Sequence, residues 1–289
     1  MELTHNTTLA KYSSLVVEVE SAKEAGFKSL ELSAKKVADY LDAGFTESDL
    51  KTLLKGLTIS GMGYLVNIER QGLEREDLIT DARKIFSLAQ KSGAKGVQVL
   101  SGPLDVNAVI SHSEQKQFNG YKGLLGLEID EIIEKTAQNL SILADVAQEY
   151  GLVIYLEALA WTPLKRLEDQ IKTIQLANKN NIKIIIDFWH LNTCGNTPED
   201  VKKLDKNLIY GVHVCDGLEN SSAIPEEVRL RNVDLGQGVI QLDKWIEAVK
   251  ATGYEGWWAS ESFYKKEHQD SPLENAQKHY KYLETLILN

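Results

Sequence analysis

The chain has 289 residues, 43% of them hydrophobic, and a formal charge of −10, so it can bury a large core but offers no basic stripe for nucleic acid. No window approaches the length of a membrane span, and the opening Met1-Glu2-Leu3-Thr4-His5 has no basic stretch followed by an apolar one, so no signal peptide is expected. Cys194 and Cys215, the only cysteines, make no disulfide framework and fit a reducing cytoplasm.

One phrase recurs along the chain: an amphipathic helix closes on Gly or Asn, and a short apolar strand follows. A first strand is expected near Leu3 to Thr8, and Ala25-Gly26-Phe27 then precedes a second at Ser29 to Leu32. Lys55-Gly56 precedes Leu57 to Ser60, and Ser92-Gly93-Ala94 precedes Gly96 to Leu100. Tyr150-Gly151 leads into Leu152 to Glu157, and Asn180-Asn181 into Ile182 to Asp187. Lys206-Asn207 leads into Leu208 to Val214, and Thr252-Gly253-Tyr254 into Gly256 to Glu261. A Gly or Asn supplies the left-handed residue that turns a helix back toward a sheet. Strands alternating with helices pair in parallel through right-handed crossovers, and eight such units in this length predict a single (β/α)8 TIM barrel over residues 1–289.

The helices agree. Ile132, Ile133, Ala137, Leu140, Leu143, Ala144 and Ala147 repeat at helical spacing with Glu134, Gln138 and Asp145 between them. Thr46-Glu47-Ser48-Asp49 and Thr197-Pro198-Glu199-Asp200 both read as helix starts, an N-cap hydroxyl followed by acids in the first turn. One long irregular stretch, from about Gly102 to Gly126, follows the fourth strand and carries His112, Lys116, Tyr121 and Lys122. A loop of that length is a lid or an insertion; its exit from the catalytic face of a barrel favours a lid.

The chemistry concentrates at strand ends. Ile182-Lys-Ile-Ile-Ile-Asp187 suits a strand covered on both faces, and it opens onto His190 three residues later. Taken alone, Asp187 could simply cap the next turn and His190 simply pack. The fifth strand, however, ends on Glu157, the seventh carries His213 with Asp216 beyond it, and the eighth ends on Glu261. Buried charges are rarely left unpaired, so three carboxylates and an imidazole converging on one mouth call for a cation. The donor set suits manganese, cobalt, magnesium or zinc; the alternative is a solvated acidic rim without metal. Beside a cation, His190 is expected to stay neutral and donate to a substrate oxygen. Arg229 and Arg231 lead into Leu235-Gly236-Gln237-Gly238, where glycines admit a ligand and a guanidinium offers planar donors; either arginine could equally be a plain surface charge, and of the two Arg231 is preferred.

At these positions the chain resembles the xylose-isomerase-like barrels, the sugar isomerase and epimerase group, and within it the inosose (2-keto-myo-inositol) isomerases of inositol catabolism. Asn6-Thr7-Thr8-Leu9, Asp187-Phe188-Trp189-His190, His213 with Asp216, Gly236-Gln237-Gly238 and Glu261-Ser262-Phe263 carry the likeness over nearly the whole chain. Two departures touch substrate identity: Ala158-Leu159-Ala160-Trp161 holds no polar residue where relatives often place one, and Leu235 stands where Pro is usual. The resemblance implies one divalent ion held by Glu157, Asp187, His213 and Glu261, with Glu157 and Glu261 also moving a proton through an enediolate. It also implies His190, Arg231, Trp161 and Asp216 as contacts to a small polyhydroxylated carbonyl compound. A keto-polyol dehydratase of inosose or dehydroshikimate type starts from the same enolate. An apurinic-endonuclease-like phosphodiesterase needs more metals and more histidines than the six present, and a non-catalytic sugar sensor would not need complete ligands. The sequence gives no oligomeric state; a homo-oligomer is compatible with it.

Overall fold

The structure, a computed structural model, describes residues 1–288. Eight parallel strands close into a barrel in chain order: β1 (Glu2–Asn6), β2 (Ser29–Ser33), β3 (Thr58–Leu65), β4 (Gly96–Leu100), β5 (Val153–Glu157), β6 (Ile182–Asp187), β7 (Ile209–Val214) and β8 (Trp257–Ser260), which pairs back with β1. Helices cover the outside, and no described helix is long and apolar enough to cross a membrane.

Strand alternation divides the labour between the two faces. In β6, Ile184 and Ile186 point outward into the main core beneath the helices, whereas Ile185 faces the barrel interior with Tyr155, Trp257 and Ala259. Inside, the Tyr155 and Tyr210 rings stack 4.6 Å apart and Trp257 meets both edge-on, filling one end of the barrel with aromatic surface. Gly211 makes room for this layer, since a Cβ there would lie 2.1 Å from the Trp257 ring. Thr4, Ser29 and Ser60 share hydroxyl hydrogen bonds within the same interior. At the carboxyl ends of the strands the inward positions become ionisable.

Two strands, Gly96–Leu100 and Ile182–Asp187, keep the expected bounds, and most other boundaries fall within two residues of those expected. The third strand extends well past Ser60 to Leu65, with Gly61 and Gly63 as small inward positions: a Cβ on Gly61 would meet the Tyr155 hydroxyl at 2.2 Å. The first strand stops at Asn6, whose side-chain oxygen accepts from Thr8 N and starts a 3₁₀ turn, Thr7–Ala10. The helix Leu167–Ala177 closes on Asn178 in the left-handed region rather than on Asn180-Asn181; Asn181 instead donates to Ala144 O and Leu152 O. Both helix starts form as read, with reciprocal Thr46/Asp49 and Thr197/Asp200 caps, and the apolar stripe of Ile129–Glu149 is buried throughout.

The stretch 102–126 is not irregular throughout. It contains a helix, Val106–Ser113, started by Asp105. Its β-branched composition hid a helix of only two turns. The roots are tied down: the Glu69 carboxylate accepts from Gly102 N at 2.9 Å and from the Tyr121 hydroxyl at 2.8 Å, so one buried acid holds both ends. Asn67 accepts from Leu104 N, and the Trp161 indole donates to Pro103 O. His112 and Lys116 lie exposed between these roots.

Candidate metal centre at the barrel mouth

Glu157, Asp187, His213 and Glu261 meet at the carboxyl ends of β5 to β8, each offering an atom that lies within 4.8 Å of the other three. Asp187 and His213 are register partners on adjacent strands. His213 Nδ1 stands 3.8 Å from Glu157 Oε1, 3.8 Å from Asp187 Oδ2 and 3.8 Å from Glu261 Oε2. Ligands about 2.0–2.2 Å from a shared ion lie only slightly closer together than this.

A further partner orients each of the four donors. His213 Nε2 lies 2.7 Å from Glu31 Oε2, so the proton sits on Nε2 and Nδ1 presents its lone pair to the centre. Glu157 Oε2 accepts from the Gln98 amide at 2.5 Å. Asp187 Oδ1 accepts from His190 N at 2.7 Å, so Asp187 also caps the turn that follows it, and Arg231 donates to Glu261 Oε2 at 2.7 Å. Two buried atoms in the middle, Glu157 Oε1 and His213 Nδ1, have no hydrogen-bond partner. Orphaned acceptors facing two further carboxylate oxygens are what a divalent cation satisfies, and the donor set of three oxygens and one nitrogen fits one.

Electrostatics point the same way. Burial pushes the Glu157 carboxyl up to about 8, with the Asp187 and Glu261 charges adding to it. Burial would also raise Asp187, but the Arg231 guanidinium outweighs it, with His190 and His213 beside it, and holds the group near about 2. Burial opposes a proton on His213, yet the Glu31 and Glu261 carboxylates pull its affinity well above the ordinary imidazole value. Glu157 and His213 thus both take up protons in this site unless a metal takes their place.

His190 is buried, and its Nδ1 accepts from Ala160 N at 3.1 Å. That bond leaves the ring's hydrogen on Nε2, and burial depresses the imidazole to about 3, so it is neutral, as the sequence suggested. Nε2 points between Glu227 Oε1 at 3.5 Å and Glu157 Oε1 at 3.9 Å. Arg231 is fully buried, stacked 4.2 Å from the Phe263 ring and bonded to Glu227 and Glu261, whereas Arg229 stays on the surface. Trp161 braces His190 ring to ring at 5.8 Å and holds the start of the 102–126 segment through Pro103.

Asp216 requires a correction. Its carboxylate accepts from the backbone of Gly217, Gly236, Gly238 and Ile240, so both oxygens are spent on folding the glycine loop and none is left for a substrate. Three further site residues went unread in the sequence: Glu31, Gln98 and Glu227. Glu31 was findable, since an acid flanked by Leu30 and Leu32 in a barrel strand must face the interior. Glu227 carried no such signal, because Pro225-Glu226-Glu227 reads as a surface turn.

Two openings lie beside this centre. A cavity of about 250 Å³ on the β1 to β3 side is lined by Asn6, Glu31, Tyr64, Gln98 and Glu261. A trough of about 790 Å³ runs between the helix Val106–Ser113 and Glu226–Asn232 and is lined by Trp161 and Glu227.

Comparison with known proteins accords with this geometry. The inosose isomerase of Bacillus subtilis (strain 168) is 24% identical over 290 residues, covering 96% of each chain. That of Halalkalibacterium halodurans is 23% identical, covering 95% of this chain and 92% of its own. Among solved structures, the IolI protein with a bound zinc atom superposes with a TM-score of 0.86 at 20% identity, over 99% of this chain and 98% of that one. The family model for the xylose isomerase-like TIM barrel matches residues 19–286, and the chain belongs to that family.

Proposed function

We propose that the protein is a divalent-metal-dependent isomerase or epimerase of a polyhydroxylated carbonyl compound, an inosose being the first candidate substrate. The observation that carries the reading is the quartet itself: four donors from β5 to β8 with Glu157 Oε1 and His213 Nδ1 buried and unpartnered at its middle. Likeness to inosose isomerases over the whole chain supports the substrate class. Zinc or manganese is the expected ion, held by Glu157, Asp187, His213 and Glu261. When bound, such an ion polarises a substrate carbonyl and its neighbouring hydroxyl, which lowers the barrier to an enediolate.

The chain's own residues supply the rest. Glu157 and Glu261 stand on strands five and eight with β6 and β7 between them, so they flank a substrate seated at the centre. One takes a proton from the carbon beside the carbonyl and the other returns one, on the same carbon for an epimerase or the next for an isomerase. Gln98 holds the outer oxygen of Glu157, and Arg231 bonds the inward oxygen of Glu261, which orients both carboxylates for the transfer. His190 donates Nε2–H to a substrate oxygen and stays neutral through the cycle. The segment 102–126, pinned at both roots by Glu69, closes as a lid and excludes water.

Running the reaction in heavy water tests this. Product must acquire solvent deuterium at the carbon beside the carbonyl, because a carboxylate exchanges its proton quickly. Product mass otherwise unchanged supports isomerisation, and product one water lighter supports a dehydratase. Product without solvent deuterium would mean a hydride shift and would remove the proton-transfer roles of Glu157 and Glu261.

A further inference from the structure

We propose that Glu227 is a specificity residue, and that with His190 and Arg231 it reads one hydroxyl group on the ring of an uncharged substrate. Glu227 lies outside the four-donor centre, on the short helix Glu227–Leu230 after β7. Its Oε1 stands 3.0 Å from Arg231 Nη1 and 3.5 Å from His190 Nε2. The two donors at the inner wall therefore converge on one carboxylate, which also lines the trough.

Three features give this arrangement a definite preference. His190 is held as a donor at Nε2 by the Ala160 N–H on its other nitrogen, and Arg231 can only donate. Glu227, when ionised, can only accept. Two donors and an acceptor match a hydroxyl, which accepts through its oxygen and donates its hydrogen; a carbonyl has no hydrogen for Glu227, and a deoxy carbon satisfies none of the three. A phosphate or carboxylate placed there would face the Glu227 charge, so the site favours a neutral polyol. The exit of β5 cannot supply this acceptor, because Ala158, Leu159, Ala160 and Trp161 are buried and offer no anionic side chain. Position and polarity thus put the reading of that hydroxyl after β7, two strands round the barrel from β5.

The inference rests on the isomerase reading only for its choice of substrate. The test uses the full chain loaded with zinc and a set of inososes, each lacking one ring hydroxyl. Wild-type protein should lose about 30-fold in kcat/KM at one ring position when that hydroxyl is replaced by hydrogen. Glu227→Ala should fall on the parent inosose yet lose less than about 3-fold further at that same position, with zinc content unchanged. Glu227→Gln keeps an acceptor oxygen for Arg231 and should recover part of the discrimination. The same series of deoxy compounds in the inositol form, bound without turnover, gives the profile by calorimetry. Loss of discrimination at one position in Glu227→Ala, by either readout, supports the assignment. Binding discrimination that depends on Glu227 without any turnover would sink the isomerase reading and leave this one standing. Turnover with a deoxy profile identical in wild type and Glu227→Ala would do the reverse, as would a loss at all positions that tracks loss of zinc.

Discussion

Glu31 offers the sharpest probe of the metal centre because it touches the ion's histidine without touching the ion's position. Its Oε2 receives His213 Nε2 at 2.7 Å and Asn6 Nδ2 at 2.7 Å, and its Oε1 receives the Tyr155 hydroxyl at 2.6 Å, all buried. Replacing it by Ala leaves three buried donors without an acceptor, at a cost of about 1–3 kcal/mol each, so that variant mixes stability with affinity. Glu31→Gln separates them. Its carbonyl can keep His213 and Asn6, and its amide can donate to the Tyr155 oxygen, so the packing survives and only the charge goes. The lost charge-assisted component is about 1–2 kcal/mol, and ligand-supporting partners of this kind are worth roughly 10- to 100-fold in metal affinity. Zinc affinity of Glu31→Gln, measured by competition with a chromophoric chelator, should therefore fall about 10-fold, with the melting temperature of the metal-free protein lower by no more than about 3 °C. A variant that binds zinc within twofold of wild type would show that Glu31 does not set the His213 donor, and the fit argument for Nδ1 would fail with it.

Three other outcomes are expected. Elemental analysis should find about one divalent ion per chain, and Asp187→Asn or His213→Ala should lose it; full occupancy in both would remove the quartet as the metal site. Trypsin should cut readily at exposed Lys116 or Lys122 in the free protein and several-fold more slowly with an inositol present, equal rates in both states arguing for a plain surface insertion. Acid sensitivity should come partly from His5, which burial, reinforced by the Lys36 and His279 charges, lowers from 6.5 to about 3. Because the unfolded chain takes up that proton first, the stability carried by neutral His5 is present above pH 6.5 and is lost as pH falls toward 3; urea unfolding should weaken by roughly 2 kcal/mol between pH 6.5 and about 4.5, and His5→Leu should flatten that slope.

How much of this was legible in the chain follows from strand parity. Tyr155 and Glu157, Ile185 and Asp187, Gly211 and His213, Ala259 and Glu261 are inward pairs two residues apart, so each functional residue is the next inward position after the last one buried in the barrel. Long apolar strands with an ionisable final residue announce that pattern, and the four donors were found from it. Glu31 obeys the same parity but sits within its strand rather than at the end, where strand-end reading does not look. Gln98 is neutral and raised no question about an unpaired charge. The loops behave differently, because nothing periodic ties a loop residue to a face. Asp216 looks like a site acid by its nearness to His213, and only the four backbone N–H groups around it reveal a residue that builds the loop. Glu227 looks like surface charge, and only the return of Arg231 into the mouth brings it inward. Repetition therefore encodes the barrel and its candidate metal donors locally, whereas the groups proposed to meet the substrate depend on contacts between segments far apart in the chain. That division also explains why the family is easier to recognise than the substrate: the donors are written into the strands, and discrimination is left to the loops that the strands hold.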